Sequence, residues 1–119
     1  MDNKTELNKL IIEGIQDRKG KDITVMDMSP IESAPCPEFI IASGSSSQNV
    51  AGIADNVREY VQEISGTKPY NYDGYARSEW IVIDYGTIMV HIFQPAIRER
   101  YNLEELWSDA IINKIPDLD

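Results

Sequence analysis

The strongest constraint on the fold comes from two adjacent segments of opposite character. Phe39-Ile40-Ile41-Ala42 is a short apolar run bounded by Pro37 and Gly44. A run of that length with no polar alternation predicts a strand buried on both faces. Directly after it, Val50, Ile53, Ala54, Val57, Val61 and Ile64 recur at helical spacing and stop at Gly66. A strand buried on both faces needs cover, and an amphipathic helix is the element that supplies it. One serine of Ser45-Ser46-Ser47 is placed to cap the helix.

The remaining elements fit around that pair. Leu7, Leu10, Ile11 and Ile15 predict a first helix over residues 4–18, with Asn3 and Glu6 as a cap pair and Gly20 as a stop. Gly14 weakens that helix but permits close approach of a packed element. Residues 23–28 read as a strand, followed by a loop bracketed by Pro30, Pro35 and Pro37. Asp73-Gly74 marks a turn. Residues 79–85 and 88–93 read as an antiparallel hairpin about Asp84-Tyr85-Gly86-Thr87, with Pro95 ending the second strand. Asn102 and Glu105 form a capping box for a last short helix carrying Leu103, Leu106, Trp107 and Ala110. The order α-β-β-α-(β)-β-β-α predicts one α/β domain over residues 1–119, a two-layer unit with a mixed β-sheet. Residues 111–119 are expected as a loose C-terminal tail.

Composition narrows function by exclusion. Twenty acidic and eleven basic residues give a net charge of −9. Ten acidic and six basic residues lie up to Tyr60, and ten and five beyond it, so the acidity is spread through the domain. This argues against a surface built for nucleic-acid backbone or anionic lipid and is compatible with a basic partner. The start, MDNKTELNKL, has no apolar core of a signal peptide, and no apolar run reaches membrane-spanning length. The expected setting is cytoplasmic, with no membrane partner.

Each enzymatic arrangement lacks a component. The serine loop has one glycine, no lysine and no phosphate-loop fingerprint. His91, the only histidine, and Asp84 have no evident nucleophile to complete a triad. Cys36, the only cysteine, sits between two prolines, and one histidine with one distant cysteine is a poor supply of metal ligands. No catalytic residue, cofactor or metal is expected.

The hairpin is more informative. Trp80, Val82 and Asp84 alternate with Ile81, Ile83 and Tyr85; Thr87, Met89, His91 and Phe93 alternate with Ile88, Val90 and Ile92. If the isoleucine set packs on helices, then Trp80, Asp84, Met89 and His91 share an open sheet face with an apolar centre and a polar rim, as in protein-binding surfaces. The competing arrangement covers Trp80 with the C-terminal segment, where Tyr101 and Trp107 need somewhere to pack. Alternation alone does not say which face carries the helices.

The string WIVIDYGTIMVHIF over residues 80–93, then Arg98, YNLEELW over 101–107 and Asp109-Ala110, resembles the ribosomal silencing factor family, also called Iojap or DUF143. Upstream, Lys21-Asp22-Ile23, Asp27, EFIIASGSS over 38–46 and IADNV over 53–57 match in order. The resemblance implies a fold similar to the nucleotidyltransferases without their activity. The glycine-serine loop survives at Gly44-Ser45, but the metal-holding pair of carboxylates one residue apart is missing, since neither Asp27 nor Asp84 has a second carboxylate two positions away on its strand. It further implies binding to the large ribosomal subunit at protein uL14, a block to subunit joining and repression of translation; organellar relatives act in large-subunit assembly. The family's characteristic positions fall on Trp80, Asp84, Tyr85, Gly86, His91, Arg98, Tyr101 and Trp107. Of these, Trp80, Asp84, Tyr85, His91, Arg98 and Tyr101, together with Met89, are the expected protein-binding residues, with Arg98 and Tyr101 also suited to tie the segment after the hairpin to the sheet. A free homodimer is a further expectation. Two positions depart from the family: Glu38 and Thr87 stand where aspartates are usual.

Overall fold

A computed structural model describes residues 3–118, with side chains from Glu6 onward. The Asn3 cap expected for the first helix lies outside the described side chains. The chain runs α1 (Asn3–Asp17), β1 (Lys21–Asp27), β2 (Glu38–Ser43), α2 (Ser47–Ser65), β3 (Asn71–Asp73), β4 (Trp80–Asp84), β5 (Ile88–Phe93), α3 (Pro95–Tyr101), α4 (Leu103–Leu106) and β6 (Ile111–Lys114). Its six strands form one mixed sheet in the order β3-β4-β5-β2-β1-β6. Only the central β2–β5 pair is parallel; every other neighbour is antiparallel.

All six residues of β2 are buried, as the uninterrupted apolar run predicts for a central strand. Helix α2 begins where Ser46 accepts the Asn49 backbone N–H at 3.0 Å, and ends at Gly66 in the left-handed conformation (φ 74°). Helices α1 and α2 pack together on one sheet face. At their crossing, a Cβ on Gly14 would stand 3.1 Å from the Val57 Cα, so the glycine sets the approach distance. Asn56 reinforces the contact by donating to the Gly14 carbonyl at 2.9 Å. The core beneath is aliphatic: Ile11, Ile15, Ile40, Val50, Ile53, Val57, Ile81, Ile83, Ile88, Val90 and Ile92 are all fully buried.

Three expectations change. Residues 111–114 are not a loose tail but edge strand β6, paired antiparallel with β1. The segment beyond is also held, since Asp117 accepts the Asp22 backbone N–H at 2.9 Å and the Leu118 carbonyl accepts the Lys21 ammonium at 3.0 Å. Pro95 ends β5 but also opens α3, because proline is tolerated at a first helical position. Finally, the face opposite α1 and α2 is not open. Met26, Met28, Cys36, Phe39, Ile41, Phe93 and Leu103 are buried there in a second core. Its cover is the proline-bracketed segment 28–37 and the short helices α3 and α4, so the domain is locally three layers thick.

Candidate functional site

Strand parity puts Trp80, Val82 and Asp84 of β4 beside Phe93, His91 and Met89 of β5, register partner by register partner. The isoleucine set faces the helices, so the aromatic set lies on the second face. There the two arrangements left open by the sequence each hold in part. Trp80 is covered from below by Phe93 (ring centroids 4.9 Å) and flanked by Tyr101 (4.8 Å), yet it remains half-buried. Tyr101 is itself half exposed. Trp107 packs edge-on against Phe39 at 6.3 Å and so belongs to the cover.

His91 does not reach the surface. It is buried among Phe39, Trp80 and Phe93, and its Nδ1 accepts the Trp80 indole N–H at 3.1 Å. That bond fixes the neutral tautomer with hydrogen on Nε2, an atom with no partner among the described residues. Burial pushes the imidazole down to about 4, so it is neutral at physiological pH. Its role is to orient the tryptophan.

Tyr85 is placed on the opposite side. It is buried in the helix-side core, and burial raises its hydroxyl to about 12. Arg98 is spent internally: one guanidinium nitrogen donates to the Asp22 carbonyl (2.7 Å) and Ser43 Oγ (2.9 Å), the other to Thr24 Oγ1 (3.0 Å) and Glu104 (3.3 Å). It ties α3 to β1 and β2, the bracing role the sequence suggested, with both terminal guanidinium nitrogens engaged inside the fold. Of the seven expected contact residues, Tyr85 and His91 are thus buried, and Arg98 is engaged within the fold. Trp80, Asp84, Met89 and Tyr101 keep surface.

Asp84 shapes the hairpin end. Its carboxylate accepts the Gly86 backbone N–H at 2.8 Å, and Tyr85 N–H closes the turn onto the Ile88 carbonyl at 2.9 Å. Gly86 takes φ 88°, a left-handed conformation that favours glycine, and the exposed Tyr70 ring lies over it. Thr87 is exposed at this turn, whereas Glu38 is buried and accepts a hydrogen bond from the Asn8 amide. The first departure therefore alters the surface and the second an internal link between α1 and β2.

The serine loop is closed on itself. Ser46 caps α2, Asn49 Oδ1 takes the Ser45 N–H at 2.8 Å, and a Cβ on Gly44 would strike Val50 at 2.9 Å. Its geometry is that of a tight strand-to-helix turn. Cys36 is buried, donates to the Glu38 carbonyl at 3.2 Å, and has its thiol raised by burial, the reverse of an activated nucleophile. Among the described residues no three His, Cys, Asp or Glu side chains gather as a metal site, and no helix is long and apolar enough to cross a membrane.

Comparison with known proteins bears on the whole chain. A family model described as "Ribosomal silencing factor during starvation" matches residues 1–119. The ribosomal silencing factor of Chromobacterium violaceum is 36% identical over 102 residues, covering 86% of this chain and 82% of its own. That of Bacillus subtilis is 32% identical over 117 residues, 98% of this chain and 95% of its own. A crystal structure of a Chromobacterium violaceum protein superposes with a TM-score of 0.82 at 36% identity, covering 87% of this chain and 85% of that one. Proteins of this kind are non-catalytic, ribosome-binding factors. The chain belongs to the ribosomal silencing factor family.

Proposed function

We propose that this protein binds the large ribosomal subunit through ribosomal protein uL14, blocks joining of the small subunit, and so represses translation in the cytoplasm. The observation that carries the reading is Trp80. A half-buried indole is held from beneath by His91 and Phe93 where the cover of the second core leaves it partly exposed. A rigid aromatic anchor with polar neighbours is the anatomy of an interaction hot spot. Met89 and Asp84 extend that surface to the hairpin turn, where Asp84 would meet a basic side chain of the partner. Repression is steric, by the bulk of the domain at the subunit interface. The free protein self-associates through the same face. The order of strand, Gly44-Ser45 turn and helix supports a fold of the nucleotidyltransferase kind turned to binding.

The test is co-sedimentation with separated ribosomal fractions. Wild type is expected to travel with free large subunits. Trp80→Ala should weaken binding by on the order of 2 kcal/mol, roughly 30-fold, and Asp84→Lys by less. Unchanged binding of both variants, with native circular dichroism, overturns the surface assignment. Subunit joining that persists at saturating protein overturns the steric mechanism.

A second reading, a large-subunit assembly factor, is supported by one relative. The mouse protein named "Mitochondrial assembly of ribosomal large subunit protein 1" is 27% identical over 101 residues, and this chain spans 44% of its length. The two readings share a surface and differ in timing. Preference for immature over mature large subunits would favour assembly.

A further inference from the structure

Of the five arginines in this acidic chain, two are consumed inside the fold: Arg98 in its four-bond clasp, and Arg58 over the Tyr72 ring (3.7 Å) and beside Asp55 (3.7 Å). Two others, Arg77 and Arg100, are exposed and line a cleft of about 400 Å³ whose apolar lining includes Trp80, Ile97 and Tyr101. Neither guanidinium has a hydrogen-bond or ion-pair partner among the described residues. Glu79 is the only acidic residue lining that cleft. The net charge of −9 is therefore locally reversed beside the half-buried indole.

We infer that this cleft receives a carboxylate-bearing segment of the large-subunit protein that the domain docks on, with Arg77 and Arg100 holding the carboxylate and Trp80 and Tyr101 the apolar residue beside it. The inference rests on the reading of the Trp80 face as the docking surface and adds the chemistry of what it takes. Arginine is suited to bidentate recognition of carboxylates, and the apolar floor suits a side chain. Nucleic acid is the poorer fit. The Trp80 ring already contacts Phe93 and Tyr101, which restricts the face on which a base would stack, and the rest of the protein repels phosphate.

The inference also gives the docking face a direction. Asp84 lies four residues from Trp80 along β4, about 13 Å at strand spacing. The face thus has a basic pole at the cleft and an acidic one at the hairpin turn. A partner strip must present its charges in the opposite order, which fixes orientation as well as affinity.

The experiment measures binding of purified large subunits to wild type, Trp80→Ala, the double reversal Arg77→Glu with Arg100→Glu, and a control reversal of equal charge, Lys9→Glu with Arg18→Glu. The cleft reversal is expected to weaken binding at least roughly tenfold, with native circular dichroism, and the control to change it far less. A photo-crosslinking amino acid in place of Ala76, which lines the same cleft, is expected to label an Asp- or Glu-containing peptide of a ribosomal protein. The inference is overturned, with the surface reading intact, if Trp80→Ala loses binding while the cleft reversal matches the control. Crosslinking to ribosomal RNA overturns it in favour of a phosphate. If Trp80→Ala binds like wild type, the surface reading itself fails, and the inference with it.

Discussion

The two faces of the sheet are built from the same strands by simple alternation, yet they differ in chemistry and in completeness. The helix side is lined by Ile40, Ile81, Ile83, Ile88, Val90 and Ile92 and sealed by two long helices. The other side carries Met26, Phe39, Trp80, Met89, His91 and Phe93 under an irregular loop and two helices of seven and four residues. β-branched aliphatics in fixed rotamers suit a layer that long helices close completely. Methionine and aromatic side chains suit a cover of irregular shape, and they bring polar atoms that need partners. The first face holds the fold. The second supports a surface where its cover ends.

The largest effect should come from the sealed face. Ile83 is fully buried beneath the helices, and truncation leaves a cavity that they have little freedom to fill. Ile83→Ala is expected to cost about 4 kcal/mol in urea denaturation. Subunit binding per folded molecule should be unchanged, because the residue points away from Trp80. A loss of affinity at full folding would break the division between the faces. Met89→Ala, half-buried on the other side, should cost only about 1 kcal/mol.

His91 sharpens the comparison with acid. Its pKa is 6.5 when solvated and about 4 in the fold. Above pH 7 the ring is neutral in both states and adds no pH dependence. As pH falls through 6.5 the unfolded chain takes up a proton that the folded chain refuses, so stability is lost progressively until about pH 4. The loss attributable to this residue is about 3 kcal/mol. The twenty carboxylates also respond in acid, so the measurement is the difference between wild type and His91→Phe. The variant should lose less stability between pH 7 and pH 4. Equal losses would mean that the ring is solvated and that the second core is not a core.

Much of this was legible in the sequence, for identifiable reasons. Period-two alternation over residues 80–93 sorted the side chains into the two sets that the sheet separates, and the glycines at 66 and 86 marked backbone conformations that other residues resist. The serine cap and the run of β2 followed from local rules in the same way. What alternation could not supply was the cover. Helix α3 begins at a proline, which reads equally as a stop, and its seven residues give no full apolar stripe. Strand β6 is four exposed residues, and its pairing with β1 joins segments more than eighty positions apart. The site was lost at the same level. Whether the face carrying His91 is open to solvent or sealed depends on where residues 28–37 and 95–110 fold over it, and no spacing encodes that.

Arg98 is where the cover is fastened, so it tests whether the second face depends on its lid. Its four hydrogen bonds join α3 to the start of β1, the end of β2 and Glu104, with the guanidinium side chain only 12% exposed. Arg98→Met keeps the aliphatic stem but strands the buried Thr24 and Ser43 hydroxyls without their donor. A cost of about 2 kcal/mol is expected, from hydrogen bonds to a charged donor. The loss should be local: amide exchange should accelerate across residues 95–107 while α2 stays protected, and Trp80 fluorescence should shift to the red as Tyr101 withdraws. Binding to large subunits should weaken with it. If α2 loses protection in step with α3, the two faces fold as one unit and the lid is no separate element. If Trp80 emission and binding both survive, the indole is held by His91 and Phe93 alone, and the cover contributes only Tyr101 to the surface.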